Sequence, residues 1–308
     1  MNILNTRLAV AIISFDRPKY LRQVLKSLEG QTDLEDVDFF FVQDGSKNVV
    51  DGSVSGNQES IDLCINLWRE CTLPNKNDMI RDGNYGIAMN QCKAHNDILL
   101  HGGYDACAVV EDDVVVSKNW IYLTKILLRQ FKDHPQIATV QSSVAGGWFI
   151  EEDDKIGALD SVRIGRPHWY GFAMWKDKWE RIWDVYQEYY EMIQQFNYQK
   201  RDHNAIRKWY KDTWNLPEGT TSQDRAKEWA CVMAGMTRLF TTVNRAIYIG
   251  ERGLHSTPAT FKNAQFDKMV LTDFPEDEVR EKFNDPDLDK IKDQIQGSLD
   301  DKDLRNGS

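Results

Sequence analysis

The segment Leu8–Ala9–Val10–Ala11–Ile12–Ile13 is an unbroken apolar run that ends in a polar turn. A strand apolar on both faces has to be covered on both, which is the situation of a central strand in a parallel sheet. Ser14–Phe15–Asp16–Arg17–Pro18 turns the chain, and Pro18 suits the first position of a helix. Tyr20, Leu21, Val24, Leu25 and Leu28 then recur at helical spacing. One β–loop–α unit is therefore predicted at the start of the chain.

The same alternation continues. Asp38–Gln43 predicts a second strand closed by Asp44–Gly45–Ser46. A polar loop runs to about Gln58, and Ile61–Arg69 reads as a helix. Asn84–Asn90 is a turn entering another helix. Ala106–Val110 is a third strand that runs directly into Glu111–Asp112–Asp113. Ser117 is expected to cap a helix carrying Trp120, Leu123, Ile126, Leu127 and Phe131. Ile137–Val140 is a fourth strand. Such alternation predicts an α/β fold with a mostly parallel, doubly wound, Rossmann-like sheet.

Beyond about residue 145 the pattern changes. His168–Met174 reads as a strand. Trp179, Ile182, Trp183, Tyr186, Tyr190 and Ile193 form an aromatic helical face. Ala230–Leu239 reads as a buried helix, and Ala246–Ile249 as a last short strand. Residues 1–145 and 146–260 are expected to be two halves of one domain, the second a smaller acceptor-side region. Residues 261–308 are acidic and poor in aliphatics, and read as a peripheral tail.

Composition limits the partners. The formal net charge of −10 disfavours long-range attraction to nucleic acid. A phosphate-bearing substrate would then need a cation as intermediary. The five cysteines are scattered without a CxxC pair, which argues against a zinc cluster and for reduced thiols. The Leu8–Phe15 run is too short for a membrane span, and no signal-type cleavage site follows it. A cytoplasmic protein without membrane contact is expected.

In doubly wound sheets ligands sit beyond the carboxyl ends of the strands. Asp16 and Arg17, Asp44, and Glu111–Asp113 all fall at predicted strand ends. Three adjacent carboxylates after a buried strand repel one another, so a divalent cation is a natural counter-charge. Such an ion keeps positions open for diphosphate oxygens. Taken alone, the triplet reads equally as a solvated acidic turn. Asp44 alone reads as an Asp-Gly turn. Arg17 offers a partner for a phosphate or for Asp44. Arg81, Asn84, Gly86 and Asn90 offer donors and close backbone approach, or else helix capping.

Ser14 and Arg17 after the first strand, Asp44 at a strand end, the Asn84/Gly86/Asn90 turn and the Glu111–Asp113 triplet together resemble the GT-A glycosyltransferase fold. The acidic triplet is most similar to that of the N-acetylglucosaminyltransferase I family. His168–Trp175, Ser222–Gln223–Asp224 and Ile249–His255 resemble further segments of it, so the likeness spans about residues 5–260. The Asn84/Gly86/Asn90 turn is more typical of bacterial family-2 enzymes, and Gln223 stands where the family has a carboxylate.

The resemblance implies Mn²⁺ or Mg²⁺ held by Asp113, with His255 and Arg252 in a loop over the diphosphate. It implies a UDP-sugar donor, UDP-GlcNAc-like, with Glu111 and Asp112 towards ribose and diphosphate and Asp44 reading uracil. Asp224 would be the base of an inverting transfer to an acceptor hydroxyl. From the residues alone, Asp224 also reads as a helix-cap acid and His255 as a loop histidine.

Lys200, Arg201, Arg207, Lys208 and Lys211 interleave with aromatics. That pattern fits an anionic acceptor, DNA with modified bases included, but reads better as the wet face of an amphipathic helix. A nucleotidyltransferase is a further alternative, although Ser14–Pro18 lacks the glycine its phosphate loop needs. A non-catalytic nucleotide- or carbohydrate-binding module would keep the fold without needing both Asp113 and Asp224.

Overall fold

The computed structural model describes residues 7–143, 159–166, 168–197, 200–215, 221–253, 256–272, 281–286 and 293. Strand β1 (Leu8–Ser14) is buried along its whole length. Helix α1 (Pro18–Glu29) has Pro18 in its first turn, where no intrahelical N–H is required, and buries Leu21, Val24, Leu25 and Leu28. Strand β2 (Val37–Gln43) follows, then α2 (Gln58–Glu70), whose first turn is capped by the Asn57 side chain accepting from Ser60 N.

Next come β3 (Lys76–Ile80) and α3 (Gly86–His95), which continues as a π-helical stretch, Asn96–His101. Strand β4 (Ala106–Glu111) leads through a turn to β5 (Val114–Val116), α4 (Trp120–Phe131) and β6 (Ile137–Gln141). The second half supplies β7 (Val162–Gly165), β8 (Phe172–Trp175), α5 (Lys176–Ile193), α6 (His203–Trp214) and α7 (Gln223–Met233). Strands β9 (Thr237–Thr241) and β10 (Ala246–Tyr248) and the short helix α8 (Pro258–Asn263) complete it.

Among the described residues the main sheet has eight strands in the order β3-β2-β1-β4-β8-β6-β9-β7. Pairs β3–β2, β2–β1, β1–β4 and β6–β9 are parallel, whereas β8 runs antiparallel to both β4 and β6, and β7 antiparallel to β9. The fold is α/β with a mostly parallel, Rossmann-like doubly wound sheet. Alternate side chains of the central strands feed two cores. Leu8, Val10, Ile12, Phe39, Phe41 and Val110 pack with α1, α2 and α4, while Ala9, Ala11, Ile13, Val42 and Val109 pack with α3, α5, α6 and α7.

Several expectations change. The apolar run Ala230–Leu239 is not one helix: α7 stops at Met233, Gly235 takes φ +70°, and Thr237–Thr241 forms β9. His168–Tyr170 lie ahead of β8 rather than in it. Ser117 is not the cap of α4; Asn119 holds that position and makes no side-chain cap bond. The tail is not wholly peripheral, since Phe283 is buried against α4 and exchanges bonds with the Gln130 side chain at 2.9 and 2.7 Å.

Register fixes the site. Ser14 pairs with Gln43, and Ile13 with Glu111, so the ends of β1, β2 and β4 are level at one edge of the sheet. Because β8 is antiparallel to β4, with Val109 opposite Phe172, the segment before β8 reaches that same edge. A second, two-stranded ribbon of β5 and β10 brings the chain after Tyr248 there too.

Candidate active site

Glu111 ends β4, and Asp112 and Asp113 form the turn into β5. Asp112 and Asp113 are 1% and 2% exposed. Like charges brought out of water should drive the turn apart unless something offsets them. Arg17 does so: Nη1 donates to Asp113 Oδ2 and Nη2 donates to Asp112 Oδ1. The loop that carries Arg17 is itself fastened to the acids. Phe15 N donates to Asp112 Oδ2 at 3.1 Å, and Asp112 N donates to the Ile13 carbonyl at 2.9 Å.

Arg17 offsets one charge of the three, and its partners are Asp112 and Asp113, not Asp44. Burial opposes the guanidinium charge, but Asp112 and Asp113 outweigh it and hold the Arg17 pKa above its ordinary value. Burial raises the pKa of each acid of the triplet. At Glu111 the charges of Asp113 and Asp224 add to it, while at Asp112 and Asp113 Arg17 pulls the other way.

Asp113 Oδ1 is buried and has no hydrogen-bond partner. That orphaned oxygen, in a cluster with surplus negative charge, suits a divalent cation. Among the described residues no three His, Cys, Asp or Glu side chains converge as a ready-made cage. A cation here would take one or two carboxylates and complete its shell with phosphate oxygens. The chain after β10 closes over this point. Ile249 N donates to the Asp113 carbonyl at 2.8 Å, and a Cβ on Gly250 would collide with Asp113 Oδ2 and Tyr248 Oη.

Arg252 is exposed in the same loop, its backbone N donating to Tyr20 Oη at 3.1 Å. Gly253 packs against Arg17 Nη1. The expected ligand His255 lies outside the described residues.

Asp44 is 4% exposed at the end of β2. Its Oδ1 accepts from Tyr85 N at 2.8 Å, and its Oδ2 accepts from Gly86 N at 2.8 Å and Asn84 Nδ2 at 3.1 Å. It is thus joined to the N-terminus of α3, and Gly86 takes φ +73° to make that turn. Burial pushes Asp44 up to about 6 against those bonds. Arg81 Nε donates to Asn90 Oδ1 at 2.9 Å and Nη1 to Asp97 Oδ2 at 3.1 Å, while Nη2 is buried without a partner. Ser14 closes β1, and its carbonyl accepts from Asp44 N at 3.0 Å.

Asp224 sits in the first turn of α7, after Ser222, whose Oγ caps the helix by accepting from Arg225 N at 3.2 Å. Its side chain is 52% exposed. Gln223 Nε2 donates to Asp224 Oδ1 at 2.7 Å, and Trp169 Nε1 donates to the Asp224 carbonyl at 3.2 Å. Lys227, absent from the sequence-based candidates, lies under it with Nζ 3.6 Å from Oδ1. The i,i+3 spacing was the available signal.

An aromatic column was also missed. Tyr170 stacks on His168 and on Tyr248, with centroids at 5.3 and 4.9 Å, and Phe266 meets all three edge-on. Burial, then the charges of Glu111, Asp113 and Asp224, holds the Tyr170 phenol above its ordinary range, so the column stands among these acids.

The basic segment is largely engaged internally. Lys200 pairs with Asp51 at 2.6 Å, Lys208 with Asp212, and Arg207 Nη1 donates to Asn204 Oδ1 at 3.0 Å. Arg201 is buried and Lys211 exposed. All five cysteines are free thiols. No helix among the described residues is long and apolar enough to cross a membrane.

A scan against protein-family models and a search of curated proteins both find no match for this chain. The molecule is an α/β protein of the Rossmann-like, doubly wound class, with its acids gathered at the carboxyl edge of the sheet. Function has to be read from that edge, because the fold alone hosts many chemistries.

Proposed function

We propose that the chain is a metal-dependent glycosyltransferase moving a sugar from a UDP-sugar to an acceptor hydroxyl. The observation that carries this reading is the pair of acidic stations at one sheet edge. Asp113 offers a buried oxygen without a partner, and Asp224 offers a half-exposed carboxylate whose charge reaches the same Glu111. The GT-A likeness of the sequence, with Asp44, Asn84 and Gly86 joined in one turn, supports it further.

Asp113 would hold Mn²⁺ or Mg²⁺ through Oδ1, with Glu111 and Asp112 beside it. When bound, the ion supplies positive charge for the departing diphosphate. Arg17, on the acids, and Arg252, exposed in the loop whose Gly253 packs against Arg17, could donate to phosphate oxygens. Gln223 and Lys227 both engage Asp224 Oδ1, and the side chain is half-exposed, so Oδ2 would be the atom to take the acceptor's proton. The Tyr170 column lies among the same acids and offers apolar surface to a sugar.

Calorimetry with UDP, with and without Mn²⁺, tests the reading. Binding that requires the ion is expected. No nucleoside diphosphate binding under either condition would overturn it.

A further inference from the structure

Lys227 is the least expected charge in the molecule. It is 2% exposed, in the second turn of α7. Its Nζ lies 4.6 Å from the centroid of Trp169 and 5.3 Å from that of Phe172, and donates to Gln91 Oε1. Burial works to strip its proton; the carboxylates of Asp224 and Glu111 work to keep it. A buried ammonium is costly unless a specific partner offsets it. Gln91 accepts its hydrogen bond, and the charged partner beside it is Asp224, with Oδ1 at 3.6 Å.

The opposite oxygen is what makes this arrangement informative. Gln223 and Lys227 both act on Oδ1, from the first and second turns of the same helix. Trp169 joins the two residues from a second element: its indole N–H holds the Asp224 carbonyl while its ring faces the Lys227 ammonium. Both interactions thus fall on the same oxygen of a carboxylate whose side chain is 52% exposed, and among the described residues neither reaches Oδ2. A general base needs that geometry, because rotation of the carboxylate would spoil its approach to the acceptor.

We infer that Lys227 is a positioning residue: from beneath the site it fixes Asp224 by Oδ1, so that Oδ2 is presented to the acceptor hydroxyl. The inference rests on the sugar-transfer reading above. Lys227 touches neither donor nor acceptor. It acts through Asp224, in a setting where Glu111, His168 and Arg238 also bear on that carboxylate.

The test is UDP-sugar hydrolysis in Mn²⁺, with water as acceptor, in wild type, Lys227→Met, Lys227→Arg, Asp224→Asn and the Lys227→Met/Asp224→Asn double variant. Methionine keeps the packing between Trp169 and Phe172 and removes the charge. Lys227→Met should lower kcat roughly tenfold or more and leave UDP affinity within about twofold. Lys227→Arg should recover most of the loss.

In the Asp224→Asn background, Lys227→Met should cost nothing further, because a residue that acts only through Asp224 has nothing left to position. A purely structural role would lower kcat in both backgrounds, and that result, or an unchanged kcat in the single variant, overturns the inference. Should Lys227→Met not fold, Lys227→Gln carries the same comparison, since it removes the charge on Oδ1 and keeps a polar end towards Gln91. If wild type itself neither binds UDP nor hydrolyses the donor, the transfer reading falls and this inference falls with it. Normal wild-type hydrolysis with an inert Lys227→Met overturns the inference alone.

Discussion

Arg17 reaches Asp112 and Asp113 from a different βα unit, on a loop that Asp112 itself fastens, whereas Lys227 reaches Asp224 from one turn further along the same helix. Exposure is reversed between the two. At the first end the acids are sealed, 2% exposed in their side chains, and the cation is 27% exposed. At the second the cation is sealed, at 3%, and the acid is 52% exposed. The cost of an unpaired buried charge therefore falls on the acids at one end and on the base at the other. Arg17 offsets two sealed carboxylates; Asp224, with Glu111 and the Gln91 side-chain oxygen, offsets a sealed lysine.

The largest effect should come from the orphaned oxygen. Asp113→Asn should lower Mn²⁺-dependent UDP-sugar hydrolysis by about 10²–10³-fold, as losing a ligand for the charge on a departing diphosphate does. Melting temperature should hold or rise, because one of three crowded carboxylates is gone. Hydrolysis within threefold of wild type would move the metal, if any, away from this end and break the comparison.

Arg17→Met comes next. It leaves Asp112 and Asp113 buried with no protein cation, at a cost on the order of 3 kcal/mol. Urea unfolding should show the loss, and Mn²⁺ should recover much of it, since an ion that binds only the native state stabilises that state. A variant as stable as wild type without metal would show that the acids do not depend on Arg17.

His95 sharpens the second end. It is 1% exposed, neither ring nitrogen has a partner, and its ring packs 4.7 Å from Trp179. Burial, helped by the Lys227 charge, holds its pKa down to about 3. The folded pKa is below the unfolded value, so protonation favours the unfolded chain. The stabilisation is whole above pH 6.5 and is lost as pH falls from there towards 3. This group alone gives a slope of about 1.4 kcal/mol per pH unit in that window. His95→Leu should flatten the stability profile by that one proton; an unchanged slope would mean that His95 charges in place.

Much of this framework was legible. Leu8–Ile13, Asp38–Gln43 and Ala106–Val110 are strands because runs apolar on both faces have nowhere else to go, and their polar ends named Arg17, Asp44 and the acidic triplet. What escaped is non-local or disguised. Nothing near Arg17 says that its partners lie at 112 and 113. Edge strand β3, Lys76–Ile80, is polar because one side of it meets water. Strand β9 hid in Ala230–Leu239 because the residues on either side of Gly235 are apolar in both states. Phe283, an aromatic flanked by charged and polar residues in an acidic stretch, gives no periodicity to read.

The smallest expected effect is the most discriminating. Lys227→Met removes a buried charge; the Asp224 carboxylate it leaves already faces water, and only the neutral Gln91 Oε1 loses its donor. Replacing a buried ionic partner by an apolar side chain of similar shape is often neutral or stabilising. Unfolding free energy should therefore fall by no more than about 1–2 kcal/mol, the cost of the Gln91 oxygen left without its donor, in contrast to Arg17→Met, whose removal strands two sealed acids. If Lys227→Met instead loses as much as Arg17→Met, then Lys227 supports the core between Trp169 and Phe172 in its own right, and the two ends of the site are built alike. If it is neutral in stability, the sealed ammonium is retained for what it does to Asp224 rather than for what it adds to the fold.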